Sequence, residues 1–327
     1  MEVVAGGKIP TLTAIRRIEI TELALPTPAS DQYLIKLRAT GVCGTDLHLY
    51  ESDWGFMPVV LGHDAVGEIV GSGQRVVLDP AISCRRCAYC LAGRRNACPE
   101  YRFLGMTAPG TFASFLTIPK VNAIPIPDEL SDEAGTVLEP VCVALHLKER
   151  LKSVVKHDSP VLVVGGGPIG IVAARVLQLE GYNVTVVETV DSRRQKVRSW
   201  GITCISPEEI TPSTSPTGAR AVAVETSSSI PGAQLAIEWM GFGGVFASIG
   251  ASSLSLRIAD LLLKDQSLIG IHGGGGRYVE AVELVASGVL PVGELVSHRR
   301  PIADLEEVII ETNRSPLDVY RTVLMHS

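Results

Sequence analysis

Four cysteines, Cys84, Cys87, Cys90 and Cys98, fall within fifteen residues in the spacing C-x2-C-x2-C-x7-C. Four thiolates so spaced can close a tetrahedral shell around Zn²⁺ and leave no position for a substrate, so the predicted site is structural. Free core cysteines, disulfides and an iron–sulfur cluster are the other readings of the same residues. Arg85, Arg86, Arg94 and Arg95 flank the ligands and are placed to offset the negative charge of a zinc–tetrathiolate. A second chemistry lies at Gly165-x-Gly167-x-x-Gly170, which follows an apolar strand and opens a helix. Glycines there permit a tight turn and let a pyrophosphate approach the helix N-terminus, with the backbone of Pro168 and Ile169 in contact. Glu188 ends the next strand, eighteen residues after Gly170. A carboxylate at that place accepts hydrogen bonds from the adenosine ribose and repels a 2′-phosphate, so NAD is expected over NADP. Arg193 and Arg194 weigh the other way.

Three further segments gather metal-ligating residue types: GVCGTDLH (41–48), GHDAVGE (62–68) and LEPVCVALH (138–146). Each is ordinary alone, since a lone Cys or His more often belongs to a core. Together with the four-cysteine lobe and VGGGPIG (164–170), and in that order, they resemble the zinc-containing medium-chain dehydrogenases over nearly the whole chain. The resemblance implies that Cys43, His63 and Glu139 hold a catalytic zinc, as in the branch of sorbitol, threonine and sugar dehydrogenases. Asp64 stands where that family has a Glu able to swing onto the metal, and Cys142 is a rival third ligand by soft-donor preference. An open zinc position stabilises an alkoxide as it does hydroxide, and alcohol oxidation needs that proton gone before a hydride leaves. Thr45 and His48 then match the family's proton relay, by way of the cofactor ribose, and Asp46 its partner for the metal-bound imidazole. Thr226 and Arg321 fall at family cofactor positions, Arg321 as a partner of pyrophosphate. Glycines (273–276) replace the Arg–aromatic pair of polyol dehydrogenases. They either bring bare backbone near the nicotinamide or form a flexible loop. Trp54, Phe56 and Phe103 are candidate walls of an apolar substrate pocket.

The elements that must position these groups change character along the chain. The first third reads as short strands (14–25, 33–39, 66–70, 75–79 and 112–118) punctuated by Pro and Gly. From about residue 160, strands at 161–166, 183–188, 221–225, 244–249 and 267–271 alternate with helical stretches, including 168–180 and 192–200. Strand–helix alternation implies a parallel sheet covered on both faces. The expected fold class is α/β: a doubly wound Rossmann sheet (142–275) inserted between two parts (1–141 and 276–327) of a β-rich GroES-like catalytic domain. The active site is expected in the cleft. The Ser/Thr/Pro-rich segment 211–217 reads as a surface loop.

At 327 residues the chain is too long for one ordinary core. A net charge of −6 argues against nucleic acid as a partner. The longest uncharged apolar run (159–174) is shorter than the ~20 residues needed to span a bilayer, so no membrane partner is expected. The start MEVVAGGKIP has no charged-then-apolar export pattern, and the expected location is cytoplasmic. The reading is a zinc-dependent dehydrogenase passing a hydride between NAD(P) and a secondary alcohol, polyol or sugar, as a homodimer or homotetramer. A non-catalytic zinc and nucleotide sensor, and a zinc-free enone or quinone reductase, are the alternatives.

Overall fold

The computed structural model describes residues 2–210, 221–253, 255, 258–314 and 319–326. The 211–217 loop expectation lies outside them. The chain divides into two compact units, Met1–Glu139 with Gly275–Ser327, and Pro140–Gly274.

The first unit is built on an antiparallel sheet in the order Arg17–Leu23, Ala5–Ala14, Phe115–Pro119, Gln32–Gly41, Asp64–Ile69, Arg75–Leu78 and Ala123–Pro125. Thr322–Met325, near the end of the chain, pairs with the far end of Gln32–Gly41, Val323 opposite Gly41. The strand expected over 14–25 is instead the second arm of a hairpin. The chain turns at Ala14–Arg17, where Arg16 takes a φ of 57°. The first arm, Ala5–Ala14, carries Gly and Pro that hide its alternation. Ile35, Leu37, Ala65, Val76, Leu116 and Ile118 point inward from these strands and make one core. A second cluster packs the helix Gly44–Glu51 and the helix Leu305–Arg314 through Leu49, Tyr50, Leu305 and Val308.

The second unit is a parallel sheet in the order Thr203–Ile205, Asn183–Val187, Pro160–Val164, Val222–Glu225, Val245–Ser248 and Ser267–Gly270. The central strands are mostly apolar, because helices cover both faces of a doubly wound sheet, and Glu225 at the end of one of them is an exception. Leu162, Val164, Ala223 and Phe246 pack with Ala233, Ala236 and Met240 of the helix Ile230–Trp239 and its cap. Chain order reverses between Pro160–Val164 and Val222–Glu225, and ligands of such sheets bind outside the strand ends at that reversal. The strand and helix limits lie within a residue or two of those read from hydrophobic period.

Candidate active site and metal centres

Cys43 follows the strand Gln32–Gly41 and caps the helix Gly44–Glu51. Asp46, at the third helical position, accepts the Cys43 backbone N–H at 2.9 Å through one oxygen. Its other oxygen accepts the Gly62 N–H at 3.0 Å, tying the two ligand loops together. Gly62 has a φ of 89°, and a Cβ there would lie 2.8 Å from the Thr111 hydroxyl and 2.9 Å from the Phe112 ring. His63 and Asp64 are therefore presented from a turn that only glycine fits.

The donor atoms of Cys43, His63 and Asp64 all lie within 4.8 Å of one another. His63 is 3% exposed. Its Nε2 is 3.8 Å from the Asp64 carboxylate, and its Nδ1 faces Asp46 at 4.0 Å, beyond hydrogen-bond range. Asp46 thus positions the histidine through the loop backbone more than through the ring. Phe103 packs a tilted ring against His63, with centroids 5.3 Å apart. The Thr45 hydroxyl lies 3.8 Å from the Cys43 sulfur, accepting from it. His48 is exposed and stacks on Trp54, centroids 6.0 Å apart. Phe56 packs against the helix cluster.

Burial works against charge on His63, but Asp64, Cys43 and Asp46 outweigh it and raise its pKa well above the ordinary value. Burial pushes the Asp46 carboxyl up. Glu139, in the first turn of the helix Leu138–Lys152, is pushed up to about 8, by burial first and by Asp64 second. Among the described residues the ligand group contains neither Glu139 nor Cys142. The carboxylate brought to Cys43 and His63 is that of Asp64.

Arg321 has a partner the sequence did not reveal. Its guanidinium is buried, paired with Asp64, and donates to the Thr136 carbonyl at 2.8 Å. Gly41 leaves room for it, since a Cβ there would collide with the guanidinium. Its Nε and the second oxygen of Asp64 are buried without hydrogen-bond partners. The pyrophosphate contact expected of Arg321 would have to share a side chain already held by Asp64. No local signal links two residues 257 positions apart.

The four-cysteine group is more open. Cys84 Sγ lies 3.5 Å from Cys98 Sγ and 4.0 Å from Cys90 Sγ, and the four donors fall within 4.8 Å of one another. A zinc with Zn–S bonds of ~2.3 Å in tetrahedral geometry separates its sulfurs by ~3.8 Å, so the donors fit that ion. Hydrogen bonds from the Arg86 and Cys87 backbone lower the Cys84 thiol to about 7. The flanking arginines have other partners as well. Arg95 donates to Asp79 at 2.9 Å and to the Ala81 carbonyl, Arg86 pairs with Glu100, and Arg94 lies over the Tyr89 ring.

In the parallel unit Gly165 takes a φ of 105° and donates its N–H to Val187. A Cβ on Gly170 would collide with the Gly165 carbonyl, whereas one on Gly167 would meet nothing within 4 Å. The helix Pro168–Leu179 starts there with no side-chain cap, so the amides of its first turn suit an anion. Pro168 and Ile169 are half-buried at its head. Glu188 is buried, accepting from the Gly166 N–H at 2.7 Å and the Val190 N–H at 2.9 Å. Thr226 donates to the Val164 carbonyl at 2.8 Å and the Gly165 carbonyl at 3.1 Å, which fixes the turn from beside it. Arg194 donates to the carbonyls of Glu188 and Thr189 and pairs with Asp191, while Arg193 is half-buried on the same helix.

Residues 29–128 match the alcohol dehydrogenase GroES-like domain, and residues 168–287 the zinc-binding dehydrogenase domain. The chain is 32% identical over 321 residues to an L-threonine 3-dehydrogenase of Escherichia coli, covering 90% of this chain and 93% of that one. It belongs to the zinc-binding alcohol dehydrogenase family, and it is an α/β oxidoreductase of GroES-like and Rossmann-type construction. Among solved structures it is similar to an E. coli oxidoreductase of unknown specificity involved in membrane biogenesis, with TM-score 0.86, 23% identity and full coverage of both chains. It is similar also to a zinc-binding dehydrogenase from Sinorhizobium meliloti 1021 bound to NADP, with TM-score 0.84, 26% identity and 97% and 98% coverage. Among the described residues no helix is long and apolar enough to cross a membrane.

Proposed function

We propose that the protein oxidises a secondary alcohol at Cys43, His63 and a carboxylate, using NAD. The observation that carries this is the convergence of a thiol, an imidazole and the Asp64 carboxylate within 4.8 Å in a buried site. A thiol, an imidazole and a carboxylate are the donor types that zinc takes, and three protein ligands leave a position open. Zinc, when bound, supplies a Lewis acid for the alcohol oxygen, and the nicotinamide, when bound, accepts the hydride. Thr45, against Cys43, takes the hydroxyl proton, and exposed His48 passes it to solvent. Asp46 holds both ligand loops in register. Glu139, whose carboxyl is influenced by Asp64 and His63, would serve as the third ligand in place of Asp64, which Arg321 holds. Phe103 walls the substrate side. Cys84, Cys87, Cys90 and Cys98 hold a second, structural zinc.

Gly165, Gly167, Pro168, Ile169 and Gly170 receive the pyrophosphate. Glu188 lines the ribose, and the engagement of Arg194 with backbone carbonyls and Asp191 supports NAD over NADP. The relative's named substrate, L-threonine, carries a secondary alcohol at its third carbon; polyols and sugars share that group. The domains run over 1–141 with 276–327, and 142–275. The edge strand Ser267–Gly270, with Leu268 half-exposed, and the exposed Ile258, Leu262 and Leu263 support a homodimer or homotetramer joined along this sheet edge. The test is reduction of NAD⁺ and NADP⁺ across secondary alcohols, polyols and aldoses, with metal analysis. We expect NAD⁺-dependent turnover, abolished by chelation, with about two zincs per chain. Full zinc without turnover on any alcohol would overturn the reading.

A further inference from the structure

Glu225 is a buried carboxylate that the proposed chemistry does not use. It ends the strand Val222–Glu225, beside the point where the strand order reverses, and is 0% exposed. One of its oxygens accepts three hydrogen bonds, from the Ser227 N–H at 2.6 Å, the Ser227 hydroxyl at 2.6 Å and the Ser228 N–H at 2.9 Å. The other has no hydrogen-bond partner. It lies against Gly250 on the loop after the neighbouring strand, where a Cβ would collide with it and stand 2.8 Å from the Ser228 backbone nitrogen. Gly250 has no positive φ, so any residue could adopt its backbone, and only the closeness of the two loops requires glycine. The bonds that tie the loops come from the backbone of Glu225 and from the Ser228 side chain that its carboxylate positions. Gly250 donates its N–H to the Glu225 carbonyl at 3.0 Å, and the Ser228 hydroxyl accepts the Ala251 N–H at 3.1 Å. Ser228 is held at a φ of 56°, a conformation unfavourable to a residue with a Cβ. Thr226, next along, is bonded to the glycine-rich turn.

We infer that Glu225 is a positioning residue of the cofactor site: its carboxylate shapes the loop at 226–228 through Ser227 and Ser228, so that this loop clamps onto the 249–251 loop at Gly250 and Ala251 and, through Thr226, onto the glycine-rich turn. This rests on the dinucleotide reading above. A sheet of this order takes one mononucleotide on each side of the reversal. Glu188 lies on the adenosine side, and both clamped loops follow strands on the other side, which serves the nicotinamide half. The three hydrogen bonds to its other oxygen offset part of the cost of burying the carboxylate.

The clamp therefore predicts a split between the two halves of the cofactor. The experiment is calorimetric titration of NADH and of AMP into the parent protein, Glu225→Ala, Glu225→Gln and Gly250→Ala. NADH affinity should fall roughly tenfold or more in Glu225→Ala and Gly250→Ala, while AMP affinity stays within about twofold. Glu225→Gln, which keeps the acceptor oxygen, should bind NADH within roughly threefold of the parent. A general loss of stability would weaken both nucleotides alike, and that outcome overturns the clamp. So does unchanged NADH binding in the first and third variants, or Glu225→Gln behaving like Glu225→Ala. A parent that binds neither nucleotide overturns the dinucleotide reading and the clamp with it. A parent that binds both leaves that reading standing whatever the variants do.

Discussion

The two metal-ligand groups of the first unit are built on opposite plans. The four cysteines come from one stretch of fifteen residues, carry one donor type, and are mostly half-buried on a short lobe. Cys43, His63 and Asp64 come from two loops, mix three donor types, and sit among Asp46, Glu139 and Arg321 where charge is expensive. A closed shell of identical ligands needs only local chain geometry. The proposed open site draws its donors from separate loops and so needs a scaffold, which Asp46 supplies by bonding both loops and Gly62 by its turn.

Breaking the mixed cluster should give the largest effect. Cys43→Ser is expected to lower kcat/KM by ~10³-fold or more while about one zinc per chain remains, as read by steady-state kinetics and metal analysis. Normal turnover in this variant would remove the distinction between the clusters. The next largest change should come from Cys84→Ser. It is expected to lose the other zinc and roughly 5–15 °C of Tm, with turnover per folded chain little altered at low temperature. A loss of turnover without a loss of Tm would reverse the two roles.

Asp46→Asn tests the scaffold. Its amide keeps only one good acceptor for the two loop N–H groups, so zinc retention at the mixed cluster or kcat/KM should fall about 10–100-fold. The four-cysteine zinc should be unaffected, which a competing chelator can resolve.

The smallest effect concerns neither cluster. His326 is half-buried beside the Thr40 hydroxyl at 3.0 Å, and desolvation lowers its pKa to about 4. The unfolded chain, with a histidine near 6.5, binds the proton more readily. Stability is then fully present above about 6.5 and is lost as pH falls towards 4, with a slope of at most ~1.4 kcal/mol per pH unit. His326→Gln should flatten that acid limb in denaturant melts, in the zinc-loaded protein and in Cys43→Ser alike. An acid limb that disappears only with Cys43→Ser would place its origin in the mixed cluster.

The parallel unit was legible almost to the residue, because buried parallel strands read as short apolar runs and the first βα turn carries a glycine signal. The antiparallel hairpin was not. Gly6, Gly7 and Pro10 interrupt the alternation of Ala5–Ala14, and pairing with Arg17–Leu23 and Phe115–Pro119 supplies what local propensity does not. The four-cysteine group could be found by counting. Cys43 and His63 could be nominated only through the order of motifs along the chain.

By itself the sequence determined the donor types, the cysteine lobe, the glycine turn with Glu188, and the alternation of strands and helices, each legible within one contiguous stretch of the chain. Tertiary structure alone decided how close Asp64 comes to Cys43 and His63, that Arg321 lies on Asp64, and that Glu225 packs against Gly250. Burial and long-range pairing set those outcomes, since a charge finds its partner by where the sheet register places it, and register between distant strands is not written in any one segment.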